Sequence, residues 1–357
     1  MELLRVSSRR GFLRSSLFGG LAAMSGLRLP ALAGAAEEGA GRATSRVALM
    51  AGNDRADNTL RGLKAFEKEI AEAIGGRRVV IKPNNVAIDV QLCATHADCM
   101  EAILEFLKSI GKAGQVVIAE SAADGPTLNG FENYGYMRLA AKYGVKLVDL
   151  DQQEVEVVHV FDERDFRPKP VRVAKLMLDP TSFIISAAKM KTHDRIVATL
   201  SLKNIVVGAP IKDMGFTWGA SGRRGARNDK PTVHGSGHRA TNYNLFALGQ
   251  RLHPHLAVID GYDGMEGNGP VGGKAVDHRV CVVSPDWLAA DRVAVELMGI
   301  DFAKVGYLNY CASAGMGEGD LKKIEVVGEP VARHIKTYKL ADNIEEQMIW
   351  LKPPPRG

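Results

Sequence analysis

The stretch ISAAKMKTHDRIVATLSLKNIVVG, residues 185–208, sets Lys189, Lys191, His193 and Lys203 between flanks apolar enough to be core. Lysine is almost never fully buried unless paired, and taking an unpaired ammonium out of water is costly. If the stretch opens as a strand, alternate side chains share a face, so Lys189, Lys191 and His193 stand on one side. Three such groups repel one another unless they meet water or an anion. Lys203 and Asn204 follow in a second apolar run. The pattern points to a site for a carboxylate or phosphate, with a solvated edge as the bland alternative. His193 is the first choice for moving a proton, because neighbouring cations lower its pKa. Lys191 would stabilise the charge that develops.

Three further loops carry polar groups that packing does not require. IKPNN places Lys82 and Asn84 where a β-branched run ends. IDGYDGMEGNGP sets Asp260, Asp263, Glu266 and Asn268 among glycines. Glycine lets backbone amides approach an anion, whereas Asp260 with Glu266 suits a divalent cation such as Mg²⁺ or Ca²⁺. An Asx-type turn is the plain alternative. SPDWLAAD reads as a helix start capped by Ser284, and Asp291 within the apolar helix is a candidate partner for a lysine. His234 and His238 fall in residues 212–242, a Gly/Arg/Ser/Asn-rich stretch read as a mobile flap that closes over ligand. His253 and His255, beside Pro254, read as surface.

The elements that must position these groups alternate. RRVVIKPN, QVVIAES, VKLVDLD and PTSFIISAAK read as strands, with helical patterns between them. Thr95 and Asp98 make a capping pattern before the helix in CMEAILEFLKSIGKAG. HLAVIDG and RVCVVS read as short buried strands. The expectation is an α/β fold: a mostly parallel sheet, helices on both faces, Rossmann-like layers and one long irregular flap. Ligands in such sheets collect outside the carboxyl ends of the strands.

Residues 1–33 hold five Arg and one Glu, hence about four of the formal +5 charge. SSRRGFLRSSLF followed by ALA is similar to a twin-arginine export signal with its cleavage site. The expected organisation is a signal over 1–33, one α/β domain over 34–330 with its core near 79–300, and a C-terminal extension over 331–357. Such a chain would meet the twin-arginine translocase during export, reside in the periplasm, and have no stable membrane anchor. A near-neutral mature chain gives no global case for nucleic acid. Cys93, Cys99, Cys281 and Cys311 form no ferredoxin run or C-x-x-C, so no iron–sulfur cluster is expected. Cys93 and Cys99 flank His96; plain burial of free thiols is the favoured reading, with a disulfide or a soft metal site as the alternatives.

In order, IKPN, KMKTH, TLSLKN, DGYDGMEGNGP and SPDWLAADRVAVELMGI resemble the domain-of-unknown-function family 362, over residues 79–300. Many proteins of that family also carry a ferredoxin-like cysteine module, which these four cysteines do not form. The residues support an exported enzyme for a small anionic ligand, using His193 and Lys191, with Lys82, Asn84, Lys189, Lys203, Asn204, His234 and Asn268 binding it. The alternative is a non-catalytic periplasmic binding or accessory protein with the same pocket.

Overall fold

The β-branched runs become eleven strands among the described residues, 45–218 and 222–353 of a computed structural model. β1 (Ser45–Ala51), β2 (Arg78–Pro83), β3 (Val116–Glu120) and β4 (Lys146–Asp149) precede a small ribbon of β5 (Val155–Phe161) and β6 (Pro168–Ala174). β7 (Ser182–His193), β8 (Val197–Thr199), β9 (Leu256–Asn268), β10 (Gly272–Ser284) and β11 (Ile324–Gly328) follow. The main sheet runs β11-β1-β10-β9-β7-β2-β3-β4, with β8 beside β7. β9, β7, β2, β3 and β4 are parallel neighbours, while β10 runs antiparallel between β1 and β9. The expected α/β architecture with a mostly parallel sheet is what forms. The twin-arginine segment lies outside the described residues.

Two apolar cores sandwich the sheet, as a parallel sheet buried on both faces requires. Val79, Ile81, Ile185 and Ala187 point into one core, with α1 (Arg55–Lys64), α2 (Glu67–Ile74), α3 (Ala97–Ser109) and α5 (Tyr136–Tyr143). α4 (Thr127–Asn133) adds Phe131 to that side. Val80, Ile184 and Ala188 point into the other, with α6 (Ser201–Gly208), α8 (His238–Gly249), α9 (Trp287–Leu297) and α10 (Gly306–Ser313). The alternation along β2 and β7 is the period of two expected for strands.

Several local expectations are corrected. The glycine-rich run after Asp260 is not a strand-end loop: β9 continues to Asn268 and pairs with β10 as one long hairpin, with a register shift between Asp277 and Val280. Gly264 serves packing, since a Cβ there would lie 1.9 Å from the Tyr338 hydroxyl. The cap of α3 is His96, whose Nδ1 accepts the Asp98 amide, while Thr95 instead donates to the Ala187 carbonyl. The cap of α9 is Asp286, accepting the amides of Leu288 and Ala289; Ser284 donates to the Arg46 carbonyl. His255 is half-buried rather than surface: it stacks on Phe183 and accepts the Ile184 amide, and burial lowers its pKa to about 4. All four cysteines are free and buried. Among the described residues no group of three or more His, Cys, Asp or Glu side chains could hold a metal ion.

Candidate anion and proton-transfer site

β2 and β3 end side by side, supplying Lys82 and Glu120, and β7 runs on past its pairing of Ala187 with Pro83 to end at His193. The chain after β8 turns into α6, whose first turn brings Lys203 and Asn204 over these strand ends. These five side chains line a cavity of 380 Å³ together with Asn84, Asn85, Arg195, Trp218, Lys230, His234 and Pro270. The volume is that of a small-molecule site, and the position is the one parallel sheets reserve for ligands.

Lys82 donates to Glu120 at 2.8 Å, to the Pro83 carbonyl at 2.8 Å and to Asn204 Oδ1 at 3.1 Å. Burial pushes the lysine pKa down and the glutamate pKa up. Gly208 makes the pair sterically feasible, for a Cβ there would lie 2.0 Å from Lys82 Cε. Asn204 is fully engaged: its oxygen accepts from Lys82 and Asn84, and its nitrogen donates to the Lys82 carbonyl and Ser186 Oγ. It orders the site rather than offering itself to a ligand.

His193 Nε2 stands 3.0 Å from Lys203 Nζ. Burial and then the Lys203 charge hold the His193 pKa well below the usual imidazole range. Its Nδ1 accepts the Arg195 amide at 3.0 Å and also lies 3.1 Å from Asp194 Oδ1. The two contacts demand opposite tautomers. With the amide as donor, the ring proton sits on Nε2 and points at Lys203. With Asp194 as acceptor it sits on Nδ1, and Nε2 accepts from the lysine. Burial, with the charges of Lys191, Lys82 and Lys230, lowers Lys203 to about 7.

Lys230, from α7 (Lys230–Val233), donates to the carbonyls of Val207, Gly208 and Pro210. Burial lowers it to about 7 as well. His234 is half-buried with a buried, unpartnered Nε2, and burial lowers its pKa to about 3. Asn84 Oδ1 and both side-chain polar atoms of Asn85 also lack partners.

The remaining sequence candidates lie elsewhere. Lys191 donates to the Cys93 carbonyl at 2.8 Å and is lowered to about 8 by burial, but it does not line the cavity. Lys189 pairs with Asp260 at 3.6 Å, and Asp260 also takes Arg55 at 3.3 Å. Lys189, Lys191 and His193 are therefore not one cationic face: a bulge between Lys189 and Lys191 shifts the register and each finds its own partner. Asp260 meets two cations, and Lys189 and Arg55 carry its pKa below the carboxylate range against the upward push of burial. Glu266 accepts the Lys339 amide, and Asn268 bonds Asp342. Asp291 does not answer a lysine: it accepts the amides of Ser201 and Leu202, capping α6. His238 is on the surface, against the Arg195 carbonyl.

Glu120, Lys230, Asn85 and Arg195 are cavity residues that sequence reasoning missed. ESAAD after β3 was a signal for the first, a carboxylate at a strand end. The stretch 212–242 does reach the site, delivering Trp218, Asn228, Lys230, Pro231 and His234.

The family model DUF362, "Domain of unknown function", matches residues 79–296, more than half of the chain. This chain is a DUF362 protein. Every cavity-lining residue, from Lys82 to Val271, falls inside the DUF362 match. A Synechocystis protein described as thylakoid-associated is 24% identical over 232 residues, which cover 64% of this chain and 65% of that protein. No solved structure matches the chain. Among the described residues no helix is long and apolar enough to cross a membrane.

Proposed function

We propose that this DUF362 chain is an enzyme acting on a small molecule that bears a carboxylate or phosphate, held at the ends of β2, β3 and β7. The observation that carries the reading is a cavity whose wall holds buried, unpartnered polar atoms on Asn84, Asn85 and His234 beside Lys203 and His193. An unsatisfied buried polar group costs about 1–3 kcal/mol, and a ligand supplies the missing partners. Lys203 and Lys230 have no carboxylate within ion-pair reach among the described residues, so an anion finds an excess of positive charge there. His193 and Lys203 share a proton across 3.0 Å, which suits acid–base work near neutral pH.

Calorimetric titration with small carboxylates and phosphates tests binding. The expected result is an affinity lost about tenfold or more in Lys203→Met, of the order seen when a charged partner is removed. Solvent-deuterium exchange into the bound ligand, followed by NMR, tests turnover, and His193→Ala is expected to bind yet not exchange. Absence of any anion binding overturns the reading; binding without exchange moves the protein to the binding class. Export by the twin-arginine route belongs to the same proposal, tested by loss of periplasmic protein when Arg9 and Arg10 are both changed to Lys.

A further inference from the structure

Six lysines of the described residues are buried: Lys82, Lys189, Lys191, Lys203, Lys212 and Lys230, none more than 6% exposed. Five have the partners a buried ammonium needs. Lys82 has Glu120, Lys189 has Asp260, and Lys212 has Asp151. Lys191 has the Cys93 carbonyl, and Lys230 has three carbonyls. Lys203 has neither carboxylate nor carbonyl, and its hydrogen-bond partner is an imidazole nitrogen, His193 Nε2. It also lines the cavity, as Lys189, Lys191 and Lys212 do not.

An amine so placed exchanges between its charged and neutral forms near pH 7. With the Arg195 amide donating to Nδ1, His193 carries its proton on Nε2 and donates it to the lone pair of Lys203. Only a neutral amine accepts that bond. Burial and the charges of Lys191, Lys82 and Lys230 disfavour the ammonium and together outweigh Asp194, which favours it. A neutral lysine desolvated beside other cations is the arrangement that makes an amine nucleophile for carbonyl compounds.

Resting on the anionic-ligand reading above, we infer that Lys203 forms a covalent imine with a ligand that carries an aldehyde or ketone beside its carboxylate or phosphate. The Nζ lone pair adds to the carbonyl carbon, the C–N bond forms, and the C=O π pair moves to oxygen. Both Nζ protons pass in turn to that oxygen, the first giving the carbinolamine hydroxyl and the second making it water, each relayed by His193 Nε2 in the tautomer that holds the ring proton on Nδ1 against Asp194. The C–O bond then breaks and water leaves, so amine and carbonyl give imine and water with no other reactant. His234 and Asn85 line the same cavity, and each carries a buried polar atom without a partner.

The test uses the full chain with three probes: glyoxylate, glycolaldehyde phosphate, and uncharged glycolaldehyde. Each is mixed with protein, reduced with borohydride, and mapped by peptide mass spectrometry. At about pH 7 roughly half of Lys203 is neutral, against about one in three thousand for an ordinary lysine. The expected result is a reduced adduct at Lys203 exceeding that at any surface lysine by about a hundredfold. Its yield should climb through pH 7 rather than near 10. The adduct should be absent in Lys203→Arg, slower in His193→Ala, and stronger with a charged probe than with glycolaldehyde. Whichever charged probe reacts faster identifies carboxylate or phosphate as the anionic end. Anions that bind by calorimetry without a Lys203 adduct overturn this inference and leave the proposed function standing. No binding and no adduct overturn both. An adduct with no preference for charge keeps the nucleophile and removes the anionic ligand. Because the site is mapped in the unaltered protein, the result does not depend on a variant folding.

Discussion

Lys203 makes a prediction at the scale of one residue. Its folded pKa lies near 7 and its unfolded one near 10.5. Below 7 both states hold the proton and the cost of burying it is fully present. Between 7 and 10.5 the unfolded chain binds more protons, so stability rises with pH. Lys203→Met abolishes this titration. Its stability relative to the native chain should therefore fall by about 2–3 kcal/mol between about pH 7 and about pH 9, read from urea midpoints. Gly208 makes a second prediction. Gly208→Ala places a methyl group on the Lys82 stem and should cost about 3–5 kcal/mol by parting Lys82 from Glu120. In a Lys82→Met background much of that cost should vanish, and a double-mutant cycle measures the difference.

At the scale of an element, α6 is the piece that brings Lys203 and Asn204 over the strand ends. Its start is held from outside, by Asp291 of α9, which accepts the Ser201 and Leu202 amides. Burial raises Asp291 to about 7, against 3.8 in the unfolded chain. The folded state thus holds the extra proton between those values, and that stability is present below 3.8 and lost as pH rises through 7. Asp291→Asn should flatten the loss, by about 2–4 kcal/mol over that window in thermal or urea unfolding. Asp291→Ala leaves two buried amides unpaired and should cost about 2–4 kcal/mol at any pH. It should also weaken anion binding, because the whole first turn of α6 loses its anchor.

At the scale of the molecule, residues beyond the DUF362 match reach back to the site. Gln347, in α11 (Ile344–Gln347), is buried, accepts the Val197 amide at 2.7 Å and donates to the His193 carbonyl at 3.1 Å. The backbone that aims His193 is therefore clamped by the C-terminal extension. Gln347→Ala should lower stability by about 1–3 kcal/mol. It should also reduce deuterium exchange more than it reduces anion affinity, since His193 loses its orientation while Lys203 stays in place. Equal losses in both would show that Gln347 supports the fold alone.

Local pattern was enough to read the strands, their order of alternation with helices, and the polar strand ends at Lys82 and His193. These follow from short-range physics: β-branched runs, turn residues, and the rule that a buried lysine needs a reason. It was also enough to single out Lys203, Asn204 and His234. Tertiary structure alone decided which cation meets which partner. Lys189 and Lys191 look identical in sequence to Lys203, yet one is paired with Asp260 and the other hydrogen-bonded to the Cys93 carbonyl, both far away in the chain. Asp291 reads as a lysine's partner and turns out to cap a helix, because only the packing of α9 against α6 sets what its carboxylate touches. The free energy of a buried charge depends on groups brought together across the fold. Residue type makes each lysine a candidate, and the partners that the fold supplies or withholds leave Lys203 facing the cavity.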